Sequence, residues 1–225
     1  MDIEISKKIV THLAQFITPE RLNLFDQILL NRTRYLTVIL EDIFQPHNAS
    51  AVLRTCDCFG VQDVHIIENE NKYEVNPDVA LGAYKWLDLI KHNSTGSNTV
   101  EAFNSIRKQG YTIVATSPHK GDFLIHELPI DKRPAFVFGT ELNGLSKEAL
   151  EHADAFVKIP MYGFTESFNI SVSAAIILYH FTEKLRSSSL PWQLRDDEKV
   201  MLKLQWMRNT IKRSDLIEAE FLKFL

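Results

Sequence analysis

Short apolar segments that alternate with helical segments constrain the fold of this chain most strongly. Each apolar segment is typical of a strand buried on both faces of a sheet. The apolar segments are Leu36–Leu40, Val64–Ile67, Lys85–Ile90, Tyr111–Ala115, Ala135–Phe138 and Phe156–Ile159. The helical segments are Ala49–Phe59, Asn76–Ala83, Thr99–Gln109, Lys147–His152 and Ile170–Lys184. This alternation predicts an α/β fold in which crossover helices join parallel strands.

Both ends of the chain have helical patterns outside this alternating region. Thr18 and Pro19 mark a helix start, and Ser187–Ser189 with Pro191 indicates a linker. The predicted terminal helices are Ile3–Phe16, Glu20–Leu30, Arg195–Thr210 and Ser214–Phe224. We therefore expect an N-terminal helical extension of residues 1–34, a central domain of residues 35–186 and a C-terminal helical extension of residues 187–225.

The composition is that of an ordinary soluble globular protein. Of the 225 residues, 45% are hydrophobic and 24% are charged. No apolar run approaches the roughly 20 residues of a membrane span, and the N-terminus has no signal-peptide pattern. Cys56 and Cys58 lie two residues apart in a predicted helix, where they point to different faces and cannot pair. We expect a cytoplasmic protein with no membrane partner.

Charge is unevenly distributed along the chain, whose formal total is −4. Residues 35–179 contain 11 Lys and Arg against 18 Asp and Glu, a formal charge of −7. Residues 1–34 carry +1 and residues 180–225 carry +2. The negative total argues against general adhesion to nucleic acid. On these numbers alone, the favoured interpretation of the basic ends is that their charges solvate helices.

Several common catalytic sites are excluded by the sequence. No G-x-G-x-x-G follows the first strand, and neither a Walker P-loop nor a G-x-S-x-G turn is present. The histidines, His119 among them, show no metal-ligand spacing, so we expect no bound metal. Ser167 and His180 lie at opposite ends of one predicted helical region, which argues against a Ser–His hydrolase.

Two groups of polar residues remain as candidate sites. The first is the segment Gln45-Pro46-His47-Asn48 with Arg54, which lies in the helix that follows. Arg54 is about 9 Å along the helix axis from Asn48, on roughly the same side. The alternative interpretation is that Asn48 or His47 caps the helix and that Arg54 is a surface charge paired with Asp57.

The second group comprises Gly139, Glu141, Ser167 and Asn169. Its alternative interpretation is a turn glycine, an N-capping Ser or Asn and a solvated Glu. Each group follows the carboxyl end of a predicted buried strand, and such ends converge in open α/β sheets. This convergence favours a functional site.

Three segments carry these groups in order, namely PHNASAVLRTCDCFGV, FGTELNGLS and IPMYGFTESFNISVSAAI. In order and spacing they resemble the three motifs of the SpoU family of RNA 2′-O-ribose methyltransferases. The resemblance extends from Leu36 to His180. The terminal helices and the segment IENENKYEVNPDVALGAYKWL are similar to the TrmH group of that family, which methylates the 2′-oxygen of a D-loop guanosine in tRNA.

The resemblance implies a SPOUT-type Rossmann-like parallel sheet with a C-terminal trefoil knot, flanked by N- and C-terminal helices. It also implies a homodimer with the active site at the subunit interface and S-adenosylmethionine as cofactor. Cofactor contacts are expected from the Thr116 loop, Gly139, the strand end at Ile159 and the backbone of Phe168. The family usually has Leu in place of Phe168, a bulkier change that main-chain contacts would tolerate.

By the same resemblance, five residues match the family's catalytic and structural positions: Arg54, Asn48, Glu141, Ser167 and Asn169. Arg54 is expected to orient the ribose hydroxyl and stabilise charge, because an arginine stays protonated in proteins. An RNA phosphate or a nearby acceptor would then take the proton. Asn48 is expected to hold Arg54 or the ribose, and Glu141 to fix its loop through Asn48 or backbone amides. Ser167 and Asn169 are expected to shape the loop around donor and acceptor.

The expected RNA partner is tRNA, whose phosphates would be held by basic residues in and near the terminal helices. The candidates are Arg21, Arg32, Arg34, Lys203, Arg208, Lys212 and Arg213. Such contacts supply affinity and salt dependence rather than base choice.

The sequence therefore predicts methyl transfer from S-adenosylmethionine to a ribose 2′-hydroxyl of tRNA, with guanosine 18 as the first choice. One alternative keeps the chemistry but places it on ribosomal RNA or another tRNA position. Another is a non-catalytic RNA-binding dimer of the same fold. A nucleotide-binding domain of unrelated function would require three accidental motif matches.

Overall fold

A computed structural model of the chain describes residues 2–74, 76–94, 97–117, 121–141 and 143–224, so His119 lies outside the described residues. The helices are α1 Ile3–Leu13, α2 Pro19–Leu29, α3 Pro46–Cys58, α4 Pro77–Ala80, α5 Asn98–Lys108, α6 Lys147–His152, α7 Ile170–Arg186, α8 Asp196–Thr210 and α9 Ser214–Leu222. The strands are β1 Thr37–Glu41, β2 Asp63–Ile67, β3 Asp88–His92, β4 Tyr111–Thr116, β5 Phe123–Leu124, β6 Arg133–Phe138 and β7 Ala155–Lys158.

The described strands form one parallel sheet of seven strands, in the order β3-β2-β1-β6-β4-β7-β5. Val38 on β1 lies opposite Val64 on β2 and Phe136 on β6. The carboxyl ends of these strands therefore meet at one edge of the sheet. The predicted parallel α/β sheet is confirmed.

Alternate residues of the central strands pack against helices on opposite faces of the sheet. Val38 and Phe136 belong to a buried cluster with residues of α3 and α7. Ile39 and Val137 belong to a second cluster with residues of α5 and α6. This two-sided burial explains why the central strands appear in the sequence as continuous apolar runs.

The start of α3 differs from the sequence prediction, which placed Asn48 or His47 at the N-cap. The helix begins at Pro46, and Gln45 is its N-cap residue. Proline is favoured at the first helical position because its missing N–H has no intrahelical partner there. Asn48 consequently lies inside the first turn, 5% exposed, and its side chain is available for contacts other than capping.

The predicted helix Asn76–Ala83 is also shorter in the structure. It ends at Ala80 because Leu81 and Gly82 both adopt left-handed backbone conformations, with φ of 46° and 81°. A short 3-10 turn, Ala83–Lys85, follows and displaces the start of β3 to Asp88. The sequence prediction had the strand beginning at Lys85.

Several predicted caps and turn glycines agree with the structure. Thr18 and Ser146 cap α2 and α6 through their side-chain oxygens, as expected from the sequence. Gly60 and Gly110 follow α3 and α5 with positive φ. Cys56 is buried whereas Cys58 is exposed. Strand β5 was not predicted, since it contains only two residues within a segment assigned to a polar loop.

The chain divides into two compact units. The central unit is Thr33–Trp192, and the helical unit combines Met1–Arg32 with Gln193–Leu225. The sequence prediction treated the two terminal segments as separate extensions bounded at residues 34 and 187, whereas the structure groups them together. Non-adjacent aromatic residues explain the grouping, because the Phe25 and Trp206 rings meet edge to face at 5.6 Å. Within the described residues, no helix is long and apolar enough to cross a membrane.

A buried histidine pair joins β2 to β3. His65 Nδ1 lies 2.9 Å from His92 Nε2, and His65 is 1% exposed. Burial, together with the nearby His92, lowers the pKa of His65 to about 4 from its ordinary value of 6.5. Between these two values the unfolded chain binds a proton at this position that the folded chain does not. The pair therefore lowers the free energy of unfolding as pH falls through this window.

We predict that His65→Gln flattens the pH dependence of stability between pH 6.5 and pH 4. The variant should lose about 1–3 kcal/mol less unfolding free energy over this window than the unmodified chain. Urea denaturation at several pH values measures the difference, and His126→Gln, at an exposed histidine, is the matched control. Equal pH slopes for His65→Gln and the unmodified chain would contradict the prediction.

Candidate active site

The predicted site residues lie where four parallel strands end. Thr116 is the last residue of β4, Gly139 follows β6 and Ile159 follows β7. Asn48 lies in the helix that follows β1. Because β1, β6, β4 and β7 are neighbours in the sheet, these residues share its carboxyl edge.

A chain of hydrogen bonds connects three of the predicted catalytic residues. Asn48 Nδ2 donates to Glu141 Oε1 at 2.7 Å, and Asn169 Nδ2 donates to Asn48 Oδ1 at 3.2 Å. Asn169 Oδ1 in turn accepts from the backbone N of Ser171 at 2.9 Å and so caps α7. The side chains therefore join the starts of α3 and α7 to the loop after β6.

Asn48 has a specific structural reason to make these contacts. A buried amide requires partners for both its oxygen and its nitrogen, and a lost partner costs roughly 1–3 kcal/mol. Glu141 and Asn169 supply one partner each. The expected bond between Glu141 and Asn48 is thus present. No hydrogen bond joins Asn48 to Arg54 among the described residues, and of the two expected roles of Asn48 the contact with the ribose stays a prediction.

Glu41 anchors the other end of the loop after β6. Its carboxylate is 1% exposed and accepts hydrogen bonds from Ser146 Oγ at 2.7 Å, Ser146 N at 3.0 Å and Thr99 Oγ1 at 2.7 Å. Sequence reasoning did not identify this residue as part of the site. The available signal was an acidic residue directly at the end of a buried strand.

Asp42 organises the neighbouring loop after β2. Its backbone has a positive φ of 54°, and its Oδ1 accepts the backbone N–H groups of Asn69, Glu70 and Asn71 at 2.8–3.0 Å. Sequence reasoning gave Asp42 no role either. Together Glu41 and Asp42 fix two loops at the sheet edge.

Gly139 is required by the tight turn that follows β6. A Cβ atom at this position would lie 2.2 Å from the carbonyl oxygen of Gly144. Thr140 N donates to the Gly144 oxygen at 2.8 Å, and Gly144 N donates to the Thr140 oxygen at 3.0 Å. The turn-glycine interpretation therefore accounts for Gly139, whatever else the residue contacts.

Two adjoining cavities, of about 280 and 60 Å³, lie beside this turn. Thr116, Ser167 and Phe168 line both cavities, Gly139 lines the larger and Ile159 the smaller. The structure thus brings the four predicted cofactor residues and Ser167 together. Glu141 also lines the larger cavity, and no described lining residue of either cavity is basic.

Arg54 and Ser167 are placed differently from the other catalytic candidates. Arg54 is exposed on α3, and Ser167 is exposed in the segment between β7 and α7. Within the part of the chain that the structure describes, neither side chain is hydrogen-bonded to Asn48, Glu141 or Asn169. The structure therefore joins three of the five candidates by hydrogen bonds, whereas the side chains of Arg54 and Ser167 are exposed and do not contact them through hydrogen bonds.

Two predicted RNA-binding residues are corrected by the structure. Arg32 is 2% exposed, with its guanidinium 5.4 Å from the centre of the Trp206 ring, so a phosphate cannot reach it. Arg34 binds the carboxylates of Asp63, at 3.0 Å, and Asp88, which neutralise its charge.

The other five RNA candidates fall into two groups. Lys203 is paired with Asp26 at 2.6 Å, and Arg208 with Glu218. Arg21, Lys212 and Arg213 are exposed. Concerning metals, the described residues contain no group of three or more His, Cys, Asp or Glu side chains that could bind an ion.

Comparison with known proteins places this arrangement in a family. Residues 35–179 match the SpoU rRNA Methylase family. The chain is 45% identical to the tRNA (guanosine(18)-2′-O)-methyltransferase of Borreliella burgdorferi over 218 residues, which cover 97% of this chain and 98% of that protein. It is 34% identical to the Thermus thermophilus protein of the same name over 193 residues, 85% of this chain and 97% of that protein.

A solved structure shows the same likeness in three dimensions. The crystal structure of the Aquifex aeolicus TrmH/SpoU tRNA modifying enzyme superimposes with a TM-score of 0.75 at 31% sequence identity, covering 86% of this chain and 98% of that one. The family match covers more than half of the chain and includes all three motif segments. The chain belongs to the SpoU methylase family.

Proposed function

We propose that this protein transfers a methyl group from S-adenosylmethionine to the ribose 2′-hydroxyl of guanosine 18 in tRNA. The observation that carries the proposal is similarity along almost the whole chain to enzymes named for that reaction. The hydrogen-bonded residues Asn48, Glu141 and Asn169 add support, because each comes from a different motif segment.

The two adjoining cavities suit S-adenosylmethionine. Together they reach the lower end of the roughly 300–1,000 Å³ typical of small-molecule sites. The cofactor is cationic at sulfur, and its bound methyl group is already activated for transfer. A lining with Glu141 and with no basic residue among those described is electrostatically compatible with such a cation. Thr116, Gly139, Ile159 and Phe168 would hold it.

The catalytic task left to the protein is alignment and charge stabilisation. Holding two reacting groups in line is worth roughly 7–11 kcal/mol. In our proposal Arg54 orients the ribose hydroxyl and stabilises the charge that develops on it, since arginine remains protonated and is a poor base. A phosphate of the RNA or a nearby acceptor takes the proton. Asn48, Glu141 and Asn169 position the two loops, and Ser167 shapes the cavity wall.

A homodimer with the active site at the subunit interface is part of the proposal. Val172 and Tyr179 on α7 are exposed, as are Tyr162 and Phe164 in the preceding segment. Exposed apolar groups of this extent commonly mark protein contact surfaces. The open position of Arg54 on α3 is compatible with its acting on a substrate held partly by the second subunit.

We further propose that residues 35–186 form the catalytic domain and that its C-terminal part forms a trefoil knot. The sheet order supports the idea, because the late strand β7 lies between the earlier strands β4 and β5. Residues 1–34 and 187–225 would serve as RNA-binding extensions. A cytoplasmic location is proposed with them, because the substrate is tRNA.

The first experiment combines labelled S-adenosylmethionine with unmodified tRNA transcripts and, separately, with unmodified ribosomal RNA, and maps the product by nuclease digestion and mass spectrometry. We expect 2′-O-methylguanosine at position 18. Arg54→Ala should reduce kcat by roughly 100-fold or more, because a group that stabilises transition-state charge is lost. Cofactor binding should persist. Lys108→Ala, at an exposed residue of α5, is the control.

Label found only in ribosomal RNA would retain the chemistry and refute the tRNA assignment. No label in any RNA, with the cofactor still bound, would favour a non-catalytic RNA-binding dimer. Full activity of Arg54→Ala would refute its proposed role while leaving the reaction in place.

We predict that Asn48→Ala lowers both stability and kcat. The change removes the donor to Glu141 Oε1 and the acceptor for Asn169, so the free energy of unfolding should fall by about 1–3 kcal/mol. Methylation by folded protein should slow roughly tenfold or more, because loop misplacement disturbs alignment. Denaturant titration and single-turnover kinetics measure the two effects. Asn104→Ala, at an exposed asparagine of α5, should change neither.

We predict that the triple variant Arg21→Ala, Lys212→Ala, Arg213→Ala binds tRNA more weakly and with a smaller salt dependence. Each lost phosphate contact should reduce the slope of log K against log salt by about 0.7–0.9. Affinity measured from low to moderate salt tests this, and kcat at saturating tRNA should be retained. Lys199→Ala is the control, since Lys199 pairs with Asp196 at 3.1 Å. An unchanged slope in the triple variant would refute the assignment.

A further inference from the structure

Beside the two adjoining cavities assigned to the cofactor lies a separate cavity of about 610 Å³, which we call the second cavity. It opens between the loops that follow β1, β2 and β6, and its volume is within the range of small-molecule sites. Thr140, Glu141, Asn143, Gly144 and Leu145 line both this cavity and the larger cofactor cavity. A molecule in the second cavity would therefore be adjacent to the methyl donor.

The second cavity offers an aromatic surface. Phe44 lines it and is 66% exposed, although its neighbour Ile43 is buried in the core. An exposed phenylalanine can be covered by a flat ring without breaking other contacts. Stacking of a nucleic-acid base on such a side chain contributes roughly 1–3 kcal/mol to binding. The shape and the aromatic residue together point to a planar ligand.

The polar lining combines carboxylate acceptors with the amides of Asn69, Asn71 and Asn143 and the hydroxyls of Thr140 and Ser146. Glu41 already accepts hydrogen bonds from Ser146, after β6, and Asp42 from the backbone of the loop after β2. Glu70 and Glu148 are exposed, and among the described residues nothing donates a hydrogen bond to either carboxylate. Gln45, which also lines the cavity, adds an amide that can donate or accept. The carboxylates of Glu70 and Glu148 thus favour a ligand that supplies hydrogen-bond donors to them.

The charge of the lining disfavours a phosphate. Glu41, Asp42, Glu70, Glu141 and Glu148 line the cavity, and no described lining residue is basic. A phosphate placed here would be repelled, whereas an uncharged base would not. Guanine carries N1–H and the N2 amino group side by side on its Watson–Crick edge, and carboxylate oxygens can accept from both. Adenine and cytosine each offer a single exocyclic amino group on that edge.

We propose that this cavity binds the target guanine, with Phe44 stacking on the base and the carboxylates of Glu70 and Glu148 accepting its N1–H and N2–H groups. The inference rests on the proposed function and adds to it the residues that choose the base. Because Glu141 lines both cavities, a nucleotide bound this way has its ribose next to the donor. The site takes an unpaired base, as enzymes that act on single nucleotides require.

The test compares tRNA transcripts with guanosine or inosine at the target position. Inosine keeps N1–H and lacks only the N2 amino group. The unmodified protein should methylate the inosine transcript with kcat/KM roughly 10- to 100-fold lower, because one hydrogen bond to a charged acceptor is lost. In the double variant Glu70→Ala, Glu148→Ala the two transcripts should differ by less than about threefold, since the acceptors are gone.

A matched control removes two nearby carboxylates that do not line the cavity. Glu74→Ala, Glu151→Ala deletes the same charge from the same two segments, and both residues are exposed. This control should keep the preference for guanosine. Phe44→Ala should raise KM for both transcripts without changing their ratio, and Phe44→Trp should restore KM, because stacking does not depend on the base.

The outcomes separate this inference from the proposed function. Methylation of guanosine 18 without discrimination against inosine would refute the guanine site and leave the function intact. Discrimination that survives in Glu70→Ala, Glu148→Ala would refute the assignment of these residues. If the unmodified protein methylates neither transcript, both the proposed function and this inference are refuted.

Discussion

The hydrogen bond from Asn48 to Glu141 is the interaction on which the site depends. It joins the first turn of α3 to the loop after β6, and a second bond from Asn169 adds the start of α7. A buried amide with both ends satisfied costs little, whereas the same amide with one partner removed destabilises the fold. The two loops and the helix start therefore have one low-energy arrangement. Catalysis by alignment needs such fixed positions more than it needs a strong acid or base.

The sheet provides this arrangement because its strands are parallel and central. Strands β1, β6, β4 and β7 are adjacent, so their carboxyl ends deliver all three motif segments to one edge. The packing of α3 and α7 on one face of the sheet and of α5 and α6 on the other then prevents these ends from moving independently. Glu41 and Asp42 use the same edge to anchor neighbouring loops. Their carboxylates are buried or hydrogen-bonded to backbone N–H groups, so they fix the positions of these loops instead of presenting a free charge.

Local patterns predicted the strands and most helices, because hydrophobic periodicity and capping are properties of short segments, whereas the roles of the site residues were inferred from the family resemblance. Local patterns failed where distant contacts decide. Pro46 begins α3, so the amide of Asn48 is released from capping and contacts a residue 93 positions away. Arg32 resembles a surface cation in sequence, yet Trp206 covers it. Residue propensity does not predict that α4 ends at a left-handed Leu81, since leucine rarely adopts that conformation.

The acidic central segment has a coherent place in the proposed reaction. Exposed charges interact weakly beyond roughly 8 Å at physiological ionic strength, so a formal charge of −7 over residues 35–179 does not by itself repel RNA from basic residues elsewhere in the chain. Partly enclosed charges are screened less, so the carboxylates that line the cavities act on a bound group at short range. In the proposed reaction they would favour a cationic methyl donor in one cavity and a base with several hydrogen-bond donors in the next, and would disfavour phosphates. The acidity that weakens general RNA affinity would then help to select what enters the site.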